Sequence, residues 1–286
     1  MSEVNEMTTS SRLWSSSPLV LLLGLLGCGQ DNTVITPPIA WYLTWSDEFE
    51  GPEAEVDRGE WSVEIGTGEG GWGNNERQFY TDRPDNLRVD GQGRLEITAQ
   101  REAFGGSAFT SARITTKAAF TQRYGRVEAR IQLPQGQGVW PAFWMLGGNI
   151  DEVGWPKTGE IDIMEYKGQD PEIIYGSLHG PGYSGANAIT SLYRLPDGQN
   201  FVEDFHVFAV EWDPSRIAFF VDDQAYQILT SDDVLPRGNW VYGHPFFILL
   251  NVAVGGNFVG PPDATTPLPQ SMLVDYVRVF SRTPPE

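Results

Sequence analysis

The sequence predicts an all-β fold, a sandwich or barrel of short strands. Three observations carry that expectation. Apolar and polar residues alternate in short runs along most of the chain, which is the period of a strand with one buried face. Thirty-two glycines and twenty prolines in 286 residues supply turns between those runs. Beyond the first thirty residues, no segment keeps a helical period over three turns.

In chain order, residues 18–27 form an apolar run too short to span a bilayer. Near the start of a chain, such a run reads as the apolar core of an export signal, although Arg12 is the only cation before it. Leu25-Leu26-Gly27-Cys28 follows and resembles the lipobox of bacterial lipoproteins, so Cys28, the last residue of the 1–28 leader segment, is expected to be left by cleavage in front of it and to carry lipid. The protein is therefore expected outside the cytoplasm, as an envelope lipoprotein or in secreted form. Cys28 is also the sole cysteine, so no disulfide forms within one chain. Residues 29–40 are polar and proline-bearing, a tether. From Trp41 the alternating texture begins. Leu95, Ile97 and Ala99 oppose Arg94, Glu96 and Thr98, and Val127, Ala129, Ile131 and Leu133 oppose Arg126, Glu128, Arg130 and Gln132. Residues 206–212, 216–222, 246–252 and 272–280 continue the pattern. With no repeat and no second composition boundary, residues 41–286 are read as one domain.

The chemistry concentrates in Gly159-Glu160-Ile161-Asp162-Ile163-Met164-Glu165-Tyr166-Lys167-Gly168. Alternation places Glu160 and Asp162 on one face of a strand and sends Glu165 to the other. One extra residue near Ile163-Met164, a β-bulge, returns Glu165 to the face of its companions. Three acids on one face repel, so the cluster needs a metal, a cation or a catalytic task. Glycoside hydrolysis fits, because it uses one ionised carboxylate and one carboxyl kept protonated by its surroundings. Four strand steps separate the Glu160 and Glu165 backbones by ~13 Å, a gap that two long side chains leaning together narrow toward the ~5–5.5 Å of a retaining enzyme.

Aromatic residues point the same way. Trp140 and Trp144 precede the acidic strand and Trp155 stands five residues before Glu160. Sugar rings stack their C–H faces on such surfaces, although a tryptophan in a sandwich serves equally as core. A net charge of −19 with only three lysines argues against nucleic acid and anionic membrane surfaces as partners, and suits a neutral substrate. Three histidines without a His-Glu-x-x-His pair argue against a zinc hydrolase, and no Gly-x-Ser-x-Gly elbow or phosphate-binding glycine loop is present.

The acidic stretch resembles the catalytic signature of glycoside hydrolase family 16, in the bulged form of laminarinases (endo-β-1,3-glucanases). The likeness spans about residues 45–280. It takes in Trp45-Ser46-Asp47-Glu48-Phe49, Trp72-Gly73-Asn74-Asn75-Glu76, Tyr124–Arg130, Trp140–Met145, Val210-Glu211-Trp212, Asn251–Asn257 and Val274–Val279. The resemblance implies a β-jelly-roll sandwich of two antiparallel sheets whose concave side binds a glycan, acting as a monomer on β-1,3 or mixed β-1,3/1,4 glucan with retention of configuration. It makes Glu160 the nucleophile, Glu165 the general acid/base and Asp162 the residue holding their protonation states apart. Asn74, Arg113, Trp140, Trp144 and Trp155 fall at sugar subsites and His179 at the cleft edge. No cofactor is implied for catalysis. One structural calcium is implied, on the Glu48 and Gly93 backbone oxygens and Asp275. Two other readings stay open: a non-catalytic β-glucan-binding protein on the same fold, and a relative acting on another polysaccharide such as agarose.

Overall fold

The computed structural model describes residues 40–284. The leader, Cys28 and the tether up to residue 39 lie outside the described residues. In chain order the strands are β1 (Tyr42–Asp47), β2 (Ser62–Val63), β3 (Gln78–Tyr80), β4 (Leu87–Val89), β5 (Leu95–Ala99), β6 (Phe109–Ser111), β7 (Arg113–Thr115), β8 (Gly125–Gln132) and β9 (Val139–Gly147). They continue as β10 (Glu160–Tyr166), β11 (Ile173–His179), β12 (Ile189–Arg194), β13 (His206–Trp212), β14 (Arg216–Val221), β15 (Gln224–Thr230), β16 (Phe246–Val254) and β17 (Gln270–Ser281). The α-helices among the described residues, Ile150–Val153 and Ser231–Val234, are single turns.

Two antiparallel sheets hold nearly all of these strands, as the alternating pattern implied. One runs β15-β14-β13-β8-β17-β5-β4 with β1 also on β17; the other runs β12-β11-β10-β9-β16-β7-β2. A small parallel pair, β3 with β6, stands apart from both. The core lies between the sheets. Leu95, Ile97, Ala99, Val127, Ala129 and Ile131, the apolar halves of two predicted strands, are fully buried there. They meet Phe143, Ile161, Ile248 and Leu250 in one cluster with residues of the second sheet. Burying the valine, leucine, isoleucine and phenylalanine side chains among them contributes about 1.5–3 kcal/mol each, which is what pins register on both layers.

The acidic strand β10 is central, flanked by β9 and β11. Its register carries the expected bulge. Asp162 pairs with Ser177 and Glu165 with Tyr175, so three steps on β10 match two on β11. Against β9, Asp162 pairs with Trp144 and Met164 with Phe143, which confines the extra residue to Ile163-Met164. Ile161, Ile163, Met164 and Tyr166 are all buried in the core. Two consecutive side chains therefore enter the interior, and Glu165 emerges on the face of Glu160 and Asp162.

Candidate active site

The site is assembled across neighbouring strands. Cross-strand pairs Glu160–His179, Asp162–Ser177, Asp162–Trp144 and Asn251–Arg113 bring their side chains to one face. Strands lie about 4.8 Å apart, so β10 to β7, three strands on, spans about 14 Å, room for more than one sugar ring. The face is thus a groove crossing the strands.

At its centre stand the three acids and His179. The Nε2 of His179 lies 3.0 Å from Asp162 Oδ2 and 3.7 Å from Glu160 Oε1. Oxygens of both acids and this nitrogen lie within 4.8 Å of one another. The backbone N–H of Gly185 donates to His179 Nδ1 at 3.1 Å. In a neutral ring that puts the proton on Nε2, so His179 faces the acids as a donor. Such a nitrogen offers no lone pair, and the trio is therefore better built to share a proton than to ligate a metal. His179 stands inside the acid cluster, not at the groove's edge.

The two glutamates meet different surroundings. Trp155, about half exposed, donates its indole N–H to Glu160 Oε2 at 3.0 Å. That bond and the His179 contact favour an ionised Glu160. Glu165 receives only a long contact from Ser177 Oγ, at 3.4 Å. The indole of Trp140 also lies near Glu165 and favours its ionised form, although Trp140 Nε1 has no hydrogen-bond partner among the described residues. Burial raises all three acids well above the ordinary carboxylate range. Glu165 is pushed up to about 8, by burial first and by the charge of Asp162 second. The same two causes raise Glu160, and burial raises Asp162.

The tryptophans divide by burial. Trp140 is 8% exposed and packs with Ala253, Val259 and Phe258 in a small satellite core beneath the groove. Trp144 is half-buried and donates its N–H to Asn251 Oδ1 at 2.8 Å. The Arg113 guanidinium lies over the rings of Trp72 (4.4 Å) and Trp144 (4.9 Å) and pairs with Glu64. Asn74 sits in the Gly71–Asn75 turn and donates to Glu76 at 3.4 Å. Trp72, Glu76, Tyr80, Asn251 and Ser177 were not singled out from the sequence as site residues. The Trp72–Glu76 block and Asn251 were part of the resemblance, and that was the available signal.

The residues named for calcium lie on the other sheet. Asp47 pairs with Val277 and Leu95 with Val274, which draws Glu48 and Gly93 toward the stretch of β17 holding Asp275. Asp275 accepts from Arg130 at 2.7 Å, and the Glu48 carboxylate is held by Arg278 at 2.7 and 3.0 Å.

Residues 74–277 match the family described as Glycosyl hydrolases family 16. A beta-glucanase of Rhodothermus marinus is 40% identical over 278 residues, covering 91% of this chain and 92% of that protein. A glucan endo-1,3-beta-glucosidase of Cryptopygus antarcticus is 41% identical over 262 residues, with coverage of 85% and 93%. The crystal structure of an endo-beta-1,3-glucanase from Pyrococcus furiosus superposes with a TM-score of 0.80 at 48% identity, covering 84% of this chain and 94% of that one. With its two-sheet fold, its bulged acidic strand and these relatives, the chain belongs to glycosyl hydrolase family 16.

Proposed function

We propose that this glycoside hydrolase cleaves internal β-1,3 linkages of glucan with retention, using Glu160 and Glu165 as its reacting pair. The observation that carries the assignment is the bulge at Ile163-Met164, which turns Glu165 onto the groove face beside Glu160 and Asp162. Glu160, with a donor from Trp155 and with His179 Nε2 3.7 Å away, is the nucleophile: its carboxylate attacks the anomeric carbon and forms a glycosyl ester. Glu165, poorer in donors than Glu160, keeps its proton and gives it to the departing glycosidic oxygen. The resulting Glu165 carboxylate takes a proton from water, the water oxygen attacks the anomeric carbon, and Glu160 leaves. Asp162 raises both glutamates through its charge, and His179 Nε2 stands 3.0 Å from its Oδ2.

The substrate side of the reading draws on the laminarinase-type relatives and on the arginine and tryptophans along the groove. Mixed β-1,3/1,4 glucan is the second substrate to test. Both glutamates face the groove, which disfavours a purely glucan-binding role. Product analysis on laminarin, lichenan, agarose and xyloglucan decides: laminarin is expected to be cut internally, and cleavage of agarose alone would reject the proposal.

Two further parts of the proposal lie away from the groove. A calcium held by the Glu48 and Gly93 carbonyls and Asp275 would brace β17; hard oxygen donors suit that ion, with Arg130 competing for Asp275. Chelator should then lower the melting temperature without touching the groove. Export and lipidation at Cys28 rest on the leader sequence, and a lipid label lost in Cys28→Ser tests them.

A further inference from the structure

Behind the groove wall runs a chain of partly buried hydrogen bonds that the reaction does not use. Glu76 accepts from Gln78 Nε2 at 2.7 Å, from Tyr80 O–H at 3.1 Å and from Asn74 Nδ2 at 3.4 Å. Asn251 donates its Nδ2 to the Tyr80 oxygen at 3.2 Å, and the other end of that amide accepts the Trp144 N–H at 2.8 Å. Tyr80 and Gln78 are almost wholly buried and Asn251 is 6% exposed, so water offers these groups little alternative.

The direction of every bond follows from Glu76. An ionised carboxylate only accepts, so Tyr80 must donate to it. The Tyr80 oxygen is then left to accept from Asn251 Nδ2, which aims Oδ1 at Trp144. The Gly71–Asn75 turn wraps Glu76 closely. A Cβ on Gly71, whose φ is +63°, would sit 2.6 Å from the Glu76 backbone nitrogen and oxygen. The far end of the relay is the Trp144 indole, whose ring also lies under Arg113.

We infer that Glu76 is a positioning residue for the glucan subsite formed by Trp144 and Asn74, acting on Trp144 through Tyr80 and Asn251. This rests on the glucanase reading above. Glu76 touches no reacting atom; it fixes the polarity of the relay and so the pose of two groove side chains. Replacing it with Gln keeps the volume but sets an NH₂ against a donor in either amide orientation, Asn74 in one and Gln78 with Tyr80 in the other.

The test compares Glu76→Gln, Tyr80→Phe and Trp144→Phe for kcat and KM on laminarin. Glu76→Gln and Tyr80→Phe are each expected to raise KM about tenfold and to leave kcat within about twofold, since they disturb binding and not the acids. In the Trp144→Phe background, adding Tyr80→Phe should change KM by less than about twofold, because both act on one bond. An unchanged KM in the single variants, a loss confined to kcat, or fully multiplicative effects would overturn the inference. If Glu76→Gln fails to fold, Tyr80→Phe, which removes a single oxygen, decides alone. Wild-type protein that neither binds nor cleaves laminarin would overturn the glucanase reading and this inference with it. Wild-type cleavage with normal variants overturns this one only.

Discussion

Asp162→Asn removes one charge from the centre of the cluster at nearly constant volume. Oxygens of Glu160 and of the buried Asp162 lie within 4.8 Å of each other. At an effective dielectric constant of about 20 the repulsion between two carboxylates at that distance is about 3.5 kcal/mol. The Asp162 charge is also the second cause raising Glu165. Both glutamates should therefore titrate lower in the variant, and both limbs of the kcat/KM profile on laminarin should move toward acid pH. The loss at the new optimum should be milder than for either glutamate, since no reacting group is removed. Stability supplies an independent readout. Burial raises the three acids together, so between the ordinary carboxylate range and about 8 the folded cluster binds more protons than the unfolded chain. Wild-type stability then falls as pH rises across that window, being fully present below it. Asn leaves one raised acid fewer and so a shallower slope, and the variant's melting temperature should gain on wild type from pH 4 to pH 8. Limbs that stay in place or move toward alkaline pH would refute this reasoning, as would a melting difference independent of pH.

Other consequences follow from the same geometry. Glu160→Gln and Glu165→Gln should each abolish laminarin cleavage while leaving the circular dichroism spectrum unchanged, and each should melt no lower than wild type at pH 8, since both acids are raised in the fold. Trp155→Phe keeps a ring but loses the N–H on Glu160, and a charge-assisted bond of about 1.5–3 kcal/mol should appear as a kcat/KM loss of about 10- to 100-fold. Met164→Ala empties a fully buried position and should cost about 2–5 kcal/mol in urea unfolding, while the folded variant keeps its activity, because Met164 faces away from the groove.

The sandwich was legible in the sequence where one face of a strand is wet, as in β5 and β8. It was least legible in β9, which lies between β10 and β16, is almost wholly apolar, and carries Pro141 within it. A strand buried on both faces has no alternation to read, and proline normally argues against a central strand. Strands of two or three residues, such as β2, β4 and β7, are too short to show any period. The bulge was legible because acid spacing and strand parity conflict without it. The Glu76 relay was not: Tyr80 and Asn251 are 171 residues apart, and only folding joins them. His179 shows the same limit, since its place among the acids depends on β11 pairing with β10.

The division of labour between the two glutamates is tested most directly by azide rescue on an aryl β-laminari-oligosaccharide. With Glu160→Ala, azide should replace the missing nucleophile and give the α-glycosyl azide. With Glu165→Ala, the glycosyl ester still forms on Glu160, and azide should attack it to give the β-glycosyl azide. The reversed pair of products, or undiminished hydrolysis of laminarin by either variant, would contradict the assignment.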